Sequence, residues 1–366
     1  MKVLDQASGK DWTLYRGDSC QVIAGIPDRS VGLCLHSPPF SNLYIYSDSV
    51  ADMGNSSNHA EFFEHYRYLV REILRVMIPG RLCVVHCKDL PLYKGRDGSM
   101  GLYDFPGEVA RIYTEVGWTL HSKVTIWKDP VTEMQRTKNH GLLYKELCKD
   151  SCGSRQGMAD YLLVFRSWEG DGVFSDPVRV GGERFGHYVG MEPPDAEQCL
   201  RDARCDGEDL NLPMPVRNAK GQFPKVNPFP EGTASYRIWS IKVWQKYASP
   251  VWFDIDNMNV LNERAARESK DCRHICPLQL DVIDRCVHLW SNPGDVVFSP
   301  FAGIGSELHG AVKAGRKGIG IELKQSYFDQ ARKYLTELEK EMMAPSLFDG
   351  TEGKPAKSKR ITRERE

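Results

Sequence analysis

Hydrophobic and polar positions along the chain fall into two rhythms that replace one another. Short apolar runs, the mark of buried strands, occur at residues 12–16, 31–35, 81–86, 120–127, 161–165, 296–299 and 318–321. Helical spacing predicts helices at 21–26, 60–77, 105–116, 277–289 and from 308 to 313, with a last helix that turns charged beyond Leu335. The clearest of these carries Phe62, Phe63, Tyr66, Leu69, Val70, Ile73, Leu74 and Met77 on one face and is expected to end at Pro79-Gly80. Strands that alternate with helices predict a doubly wound α/β sheet.

Three stretches lack either period. Residues 41–58 read as a long polar loop over a site, and 128–149 as a basic loop. Residues 167–233, dense in Gly, Pro, Asp and Arg, read as an inserted module with little regular structure, where variable recognition is usually mounted. The aromatic stretch 236–253 suits core packing more than a nucleic-acid surface.

Composition narrows the picture. A chain of 366 residues with 41% hydrophobic and 10% aromatic content can build a large core, which excludes global disorder. The formal net charge of -1 gives no overall polyanion-binding signature, so a nucleic-acid partner would have to meet a local basic face. Eleven cysteines, several inside apolar runs, fit reduced thiols in a cytoplasmic protein. No metal is expected: Cys272, His274 and Cys276 have the spacing of no common zinc module. No apolar run is long enough for a membrane span, and the start lacks a signal-peptide core.

Two stretches carry chemistry. The strand at 31–35 stops at His36-Ser37-Pro38-Pro39-Phe40, which puts Ser37 at a carboxyl end, where open α/β sheets hold ligands. Proline lacks a backbone donor and stiffens the loop, leaving the Pro38 carbonyl to accept from an amine while Phe40 offers a flat face to a ring. The second stretch is Ser299-Pro300-Phe301-Ala302-Gly303-Ile304-Gly305-Ser306, a strand–turn–helix unit whose glycines admit a cofactor to the backbone. Glu322 ends the next strand 17 residues past Gly305, near the usual offset of an acid that takes ribose hydroxyls. Asp18, in Gly17-Asp18-Ser19-Cys20, reads locally as a helix cap.

Together these stretches resemble the β class of exocyclic-amino DNA methyltransferases, whose motifs (Asp/Asn/Ser)-Pro-Pro-(Tyr/Phe/Trp) and Phe-x-Gly-x-Gly appear here in the same order as Ser37–Phe40 and Phe301–Gly305. The resemblance implies a Rossmann-like fold that uses S-adenosylmethionine, with Ser37, Pro38, Pro39 and Phe40 as catalytic residues. It assigns Asp18, Ser19, Cys20, Pro277, Ser299, Phe301, Ala302, Gly303, Ile304, Gly305, Ser306 and Glu322 to the cofactor, so that Asp18 becomes a ligand residue as well as a cap. Trp127-Lys128-x-Pro130 is similar to the segment flanking a flipped base, and the basic composition of the loop makes Arg136, Lys138, Asn139 and His140 candidate DNA contacts. A Ser-Pro-Val-Trp-Phe-Asp run at 249–254 is similar to phage and prophage methylases. One departure stands out: Ser299 replaces the Asp that family members often carry before Pro-Phe.

The implied organisation is a catalytic half at 1–166, a target-recognition insert at 167–248, a cofactor half at 249–340 and a polar, disordered tail at 341–366. The implied partner is DNA, with no membrane and with homodimerisation left open. Ser-Pro-Pro leans towards N4 of cytosine, with N6 of adenine as the alternative. An RNA or small-molecule methyltransferase, or a DNA-binding module without catalysis, stays open behind them. None of the 21 prolines precedes a cysteine, which argues against C5-cytosine chemistry.

Overall fold

The computed structural model describes residues 2–41, 52–137, 143–167, 177–179, 187–205, 207, 211–262 and 277–344. Its strands are β1 (Asp5–Ser8), β2 (Trp12–Arg16), β3 (Val31–His36), β4 (Met77–Cys87), β5 (Leu90–Leu92), β6 (Gly101–Tyr103), β7 (Thr119–Ile126), β8 (Asp160–Arg166), β9 (Val251–Trp252), β10 (Val296–Ser299) and β11 (Lys317–Glu322). The helices are α1 (Ser19–Val22), α2 (His59–Val76), α3 (Lys94–Asp97), α4 (Phe105–Val116), α5 (Pro130–Thr137), α6 (Tyr144–Lys149), α7 (Ala196–Cys205), α8 (Ala234–Tyr247), α9 (Leu280–Trp290), α10 (Ser306–Lys313) and α11 (Gln325–Met343).

Nine strands form one sheet in the order β1-β2-β11-β10-β3-β4-β8-β7-β9, and β5 pairs with β6 apart from it. The core of the sheet, β2-β11-β10-β3-β4, is parallel throughout, while β8 runs antiparallel to both its neighbours. The sheet thus interleaves strands from both ends of the chain. At its centre β3 lies beside β10, with Leu33 opposite Val297 and Cys34 opposite Phe298. From β10 the sheet continues to β11 on one side, and from β3 to β4 on the other, so their boundary is the switch point at which such sheets bind ligands.

Helices cover both faces. On one face α2 buries Phe62, Tyr66, Leu69, Val70 and Ile73 beside Phe105, Val109 and Tyr113 of α4. On the other, α9 packs Val282, Ile283 and Cys286 over Leu33, Leu35 and Val297. Each such fully buried side chain contributes roughly 1.5–3 kcal/mol, which is why the strands read as unbroken apolar runs.

Some expectations change. The helix predicted through Met77 stops at Val76, because the amides of Arg29 and Ser30 take the carbonyls of Arg75 and Val76, and β4 then runs through Pro79-Gly80. The basic loop at 128–149 contains two short helices, α5 and α6. Among the described residues of the insert, α7 is a regular helix that its composition did not suggest. Ala196, Cys199, Leu200 and Ala203 make an apolar stripe on α7 that is buried with Tyr188, Phe223, Phe229, Trp239 and Val243. That stripe was hidden among acidic and basic neighbours. Residues 42–51, 138–142 and 263–276, together with the tail beyond 344, lie outside the described residues.

At the amino edge of the sheet, Arg81 on β4 forks onto Asp295 before β10, with Nη1 and Nη2 at 3.0 and 3.2 Å. Asp295 lies over Gly32 of β3, where any Cβ would come within 2.8 Å of its Cγ. One ion pair therefore ties three adjacent strands. Arg81→Ala is expected to cost about 3–5 kcal/mol in urea unfolding, because it strands a largely buried carboxylate. A loss below about 1 kcal/mol would show that the pair does not brace the sheet.

Candidate active site

Strand direction builds the site. The parallel strands β3, β4, β10 and β11 all end at one edge, and β8 begins there because it runs the other way. That edge gathers Ser37 after β3, His86 near the end of β4, Asp160 at the start of β8, and the turn 301–305 after β10.

The Ser37–Phe40 stretch is anchored by its neighbours. Phe40 packs edge-on to Phe105 of α4 at a centroid distance of 6.1 Å. Ser41 N–H donates to the Pro39 carbonyl at 2.8 Å, and the buried Ser41 Oγ lies 2.7 Å from His59 Nδ1. His59 in turn stacks on Tyr103 at 4.0 Å. Ser41 takes φ +52°, which a serine adopts only when its surroundings hold it there. Ser37 is half-buried and Pro38 buried.

Behind Ser37 runs a relay that sequence reading missed. Ser37 Oγ lies 2.9 Å from His86 Nδ1, and His86 Nε2 lies 3.2 Å from Asp160 Oδ2. Lys128 Nζ reaches the same Asp160 oxygen at 2.9 Å and Asn257 Oδ1 at 2.8 Å, while Lys88 Nζ is 3.8 Å from Asp160 Oδ1. Burial by itself would raise the Asp160 pKa, but the His86 hydrogen bond and the Lys128 and Lys88 charges hold it well below the usual carboxylate range. An ionised Asp160 fixes the imidazole. Nε2 keeps a proton to donate to the carboxylate, so in the neutral ring Nδ1 is bare and accepts the Ser37 hydroxyl proton. Ser37 Oγ then faces the cleft with lone pairs only.

Two chemistries use a Ser–His–Asp series. A nucleophilic serine needs backbone N–H donors for the oxyanion, commonly from the residue after it, yet here Pro38 and Pro39 have none. The arrangement suits a serine that accepts and passes protons.

The turn after β10 sits beside the segment 17–20. Ser19 Oγ donates to the Pro300 carbonyl at 2.5 Å, and Gly17 N–H donates to the Glu322 carbonyl at 3.0 Å. Asp18 caps α1, accepting from Cys20 N–H at 3.0 Å. Burial, followed by the charges of Asp18 and Glu72, pushes the Cys20 thiol up to about 12, so it stays protonated. The Glu322 carboxylate accepts from Gly303 N–H and Lys324 N–H, each at 2.8 Å, and burial pushes its pKa up to about 7 despite these bonds. Glu307, on the first turn of α10, was not among the expected site residues; burial pushes it up to about 8.

The two glycines of the turn differ in role. At Gly305, with φ +87°, a Cβ would meet Ala331 Cβ of α11 at 3.0 Å; at Gly303, with φ +52°, nothing lies within 4 Å. The first allows close packing and the second leaves space for a ligand. Ser299 Oγ and Ser306 Oγ, at either end of the turn, are buried without a hydrogen-bond partner among the described residues. Phe301 is partly buried beside His36 and Tyr66, whereas Ala302 and Ile304 are buried. Pro277 is half-buried just before Leu278, which belongs to the same cluster as Leu33 and Val297.

Of the expected DNA contacts, Trp127 is 43% exposed, whereas Lys128 is buried, with its ammonium held by Asp160 and Asn257. Lys128 therefore serves the relay from within. Arg136 lies on α5, and Lys138, Asn139 and His140 fall outside the described residues. His86 had a legible signal, an apolar run that stops at a polar residue, the same signal that marked Ser37. Asp160 had none, because its place depends on β8 running antiparallel.

Residues 31–333 match the N6/N4 DNA methylase family. The chain is 39% identical over 66 residues, 18% of its length, to the type II methyltransferase M1.MboII of Moraxella bovis, covering 25% of that protein. It is 22% identical over 320 residues, 85% of its length, to the type II methyltransferase M.BamHI of Bacillus amyloliquefaciens, covering 54% of that protein. The chain thus spans a quarter and about half of these two relatives. In fold it resembles a protein of Thermus thermophilus, described as a DNA modification methylase and solved with S-adenosyl-L-methionine: TM-score 0.53, 18% identity, 90% of this chain and 96% of that one. Among the described residues no helix is long and apolar enough to cross a membrane.

The Asp160 environment makes acid stability a test of the relay. Its folded-state pKa is depressed, so its contribution is present above the ordinary carboxylate value near 4 and is lost as pH falls below it. Asp160→Asn is expected to flatten the fall of the urea midpoint between about pH 5 and pH 3. An unchanged slope would mean that Asp160 is not held ionised.

Proposed function

The chain belongs to the N6/N4 DNA methylase family, and on that premise we propose that it methylates the exocyclic amino group of a DNA base, with N4 of cytosine favoured over N6 of adenine. The observation that carries this reading is the parallel pairing of β3 with β10, which brings the Ser37–Phe40 stretch beside the turn 301–305 across the switch point of the sheet.

S-adenosylmethionine fits the turn side. Gly303 leaves open space, and the buried hydroxyls of Ser299 and Ser306 lack partners among the described residues. Phe301–Gly305, Ser299, Ser306 and the segment 18–20 would hold it, with Glu322 positioned to receive its ribose hydroxyls. When bound, it supplies an electrophilic methyl group.

The amine lone pair of cytosine or adenine is conjugated into the ring, so the nitrogen must be drawn towards tetrahedral geometry before it can attack. Ser37 Oγ and the Pro38 carbonyl accept its two N–H bonds, and Phe40 lies against the ring. Because the Ser37 proton already points at His86, the hydroxyl competes for no other acceptor. Once the nitrogen bears four bonds it must lose a proton: Ser37 Oγ takes it and passes its own to His86 Nδ1. The imidazolium so formed lies against the Asp160 carboxylate. Placing base and methyl donor at near-attack distance supplies much of the remaining rate, and the base leaves the duplex to reach the pocket. Trp127 flanks that base, and the segment 167–248 reads the target.

Ser37→Ala is expected to abolish turnover while calorimetric binding of S-adenosylmethionine survives, and full activity would refute the assignment. His86→Ala should keep the fold and cofactor affinity but lower kcat by about 10²–10⁴-fold, as for loss of general acid–base help. Mass spectrometry of nucleosides from DNA, RNA and free nucleoside incubated with protein and cofactor decides the substrate. N4-methylcytosine in DNA is expected; N6-methyladenine alone overturns the choice of base, and methylation confined to RNA or nucleoside overturns DNA.

A further inference from the structure

Beneath the catalytic stretch lies a second cluster that the methyl-transfer reading does not use. Cys34 and His36 are two apart on β3 and so share a face, and Cys83 of β4 is the direct neighbour of Cys34 in the parallel register. All three are fully buried. Their sulfur and nitrogen atoms all lie within 4.8 Å of one another, with Cys34 Sγ at 3.4 Å from His36 Nδ1.

We propose that Cys34, His36 and Cys83 form a buried binding site for a thiophilic metal ion, with zinc as the ion to test. Zinc bonds of roughly 2.3 Å to sulfur and 2.0 Å to nitrogen place tetrahedral donors about 3.4–3.8 Å apart, so the Cys34–His36 edge already has the required length. Thiolate and imidazole are the donor types that select zinc or copper(I) over magnesium or calcium. Two thiolates cancel the charge of a divalent ion, which suits a site without water. The outer groups are also in place. His36 Nε2 lies 3.0 Å from Tyr66 Oη, an outer hydrogen-bonding partner of the kind that metal-bound histidines use to hold the ring. Tyr66 Oη lies 3.2 Å from Tyr113 Oη, and that hydroxyl lies 3.7 Å from Cys83 Sγ, within reach of the fourth position.

The position gives the ion a structural role. His36 immediately precedes Ser37, and its ring packs against Phe301 at 5.9 Å. A metal on His36 would therefore pin the wall between the two motifs. This inference does not rest on the methyl-transfer reading.

The test uses the untagged full-length chain, dialysed against zinc or cobalt and then against metal-free buffer. About one zinc per chain retained, and a thiolate-to-metal charge-transfer band in the cobalt form, are expected. Cys34→Ser and Cys83→Ser should lose the band, while Cys286→Ser, a buried cysteine on α9, and the double variant Cys272→Ser/Cys276→Ser should keep it. Absence of retained metal and of the band in the parent chain overturns the proposal without recourse to any variant. A band that follows Cys272 and Cys276 instead of Cys34 and Cys83 overturns it equally.

Discussion

The pairing of β3 with β10 is the constraint on which the rest of the molecule depends. Leu33 and Cys34 lie opposite Val297 and Phe298, residues more than 250 positions later in the chain. Closing so long a loop costs entropy, and a single short ladder does not offset it. The compensation comes from what the ladder brings together. Cys34 and Phe298 lie in the cluster under α2 and α4, and Leu33 and Val297 in the one under α9. The Arg81–Asp295 fork then fastens the amino edge. Two strands that pair here in parallel must end side by side, so their loops must share a cleft.

Much of this could be read from the residues, and what could not has a physical cause. Buried strands show as apolar runs because both faces are covered, so β3, β4, β8 and β10 were legible, as were α2 and α4 from their spacing. The serine stretch and the glycine turn were legible because a strand that stops at a polar residue or a tight turn is locally unusual. Strand direction is not local. Nothing in Tyr161 to Phe165 says that β8 runs antiparallel, yet that direction brings Asp160 to the edge where His86 ends. The place of Lys128 depends on the same direction: the resemblance put it beside a flipped base, and its ammonium lies on Asp160, which no local pattern shows. The α7 stripe was missed because small residues such as Ala196 and Ala203 carry little apolar signal, though each is fully buried.

Charge is handled in opposite ways at the two ends of the site. Asp160 is buried, but one histidine and two lysines surround it, so its ionisation is stabilised and its field is directed at the ring of His86. The acids near the turn are treated differently. Glu322 and Glu307 lack a nearby cation among the groups that shift them, and burial raises both. One end of the cleft thus holds an ionised carboxylate matched by lysines, and the other holds carboxyls whose pKa burial raises. Backbone amides, from Gly303 and Lys324, carry the polar contacts of Glu322.

This division explains why a serine can stand where many family members have an aspartate. An aspartate at that position would be an acceptor by virtue of its own charge and would need no help from behind. A serine hydroxyl is both donor and acceptor, and left to itself it would turn its proton towards whichever acceptor was nearest. His86 removes that freedom by taking the proton at Nδ1, and it can do so because Asp160 holds the other ring nitrogen protonated. Asp160 in turn stays ionised in a buried site because Lys128 and Lys88 lie beside it. Ser37, His86, Asp160 and the two lysines are therefore one connected network of five residues. The Asp160 charge is set back from the cleft and matched there by Lys128 and Lys88.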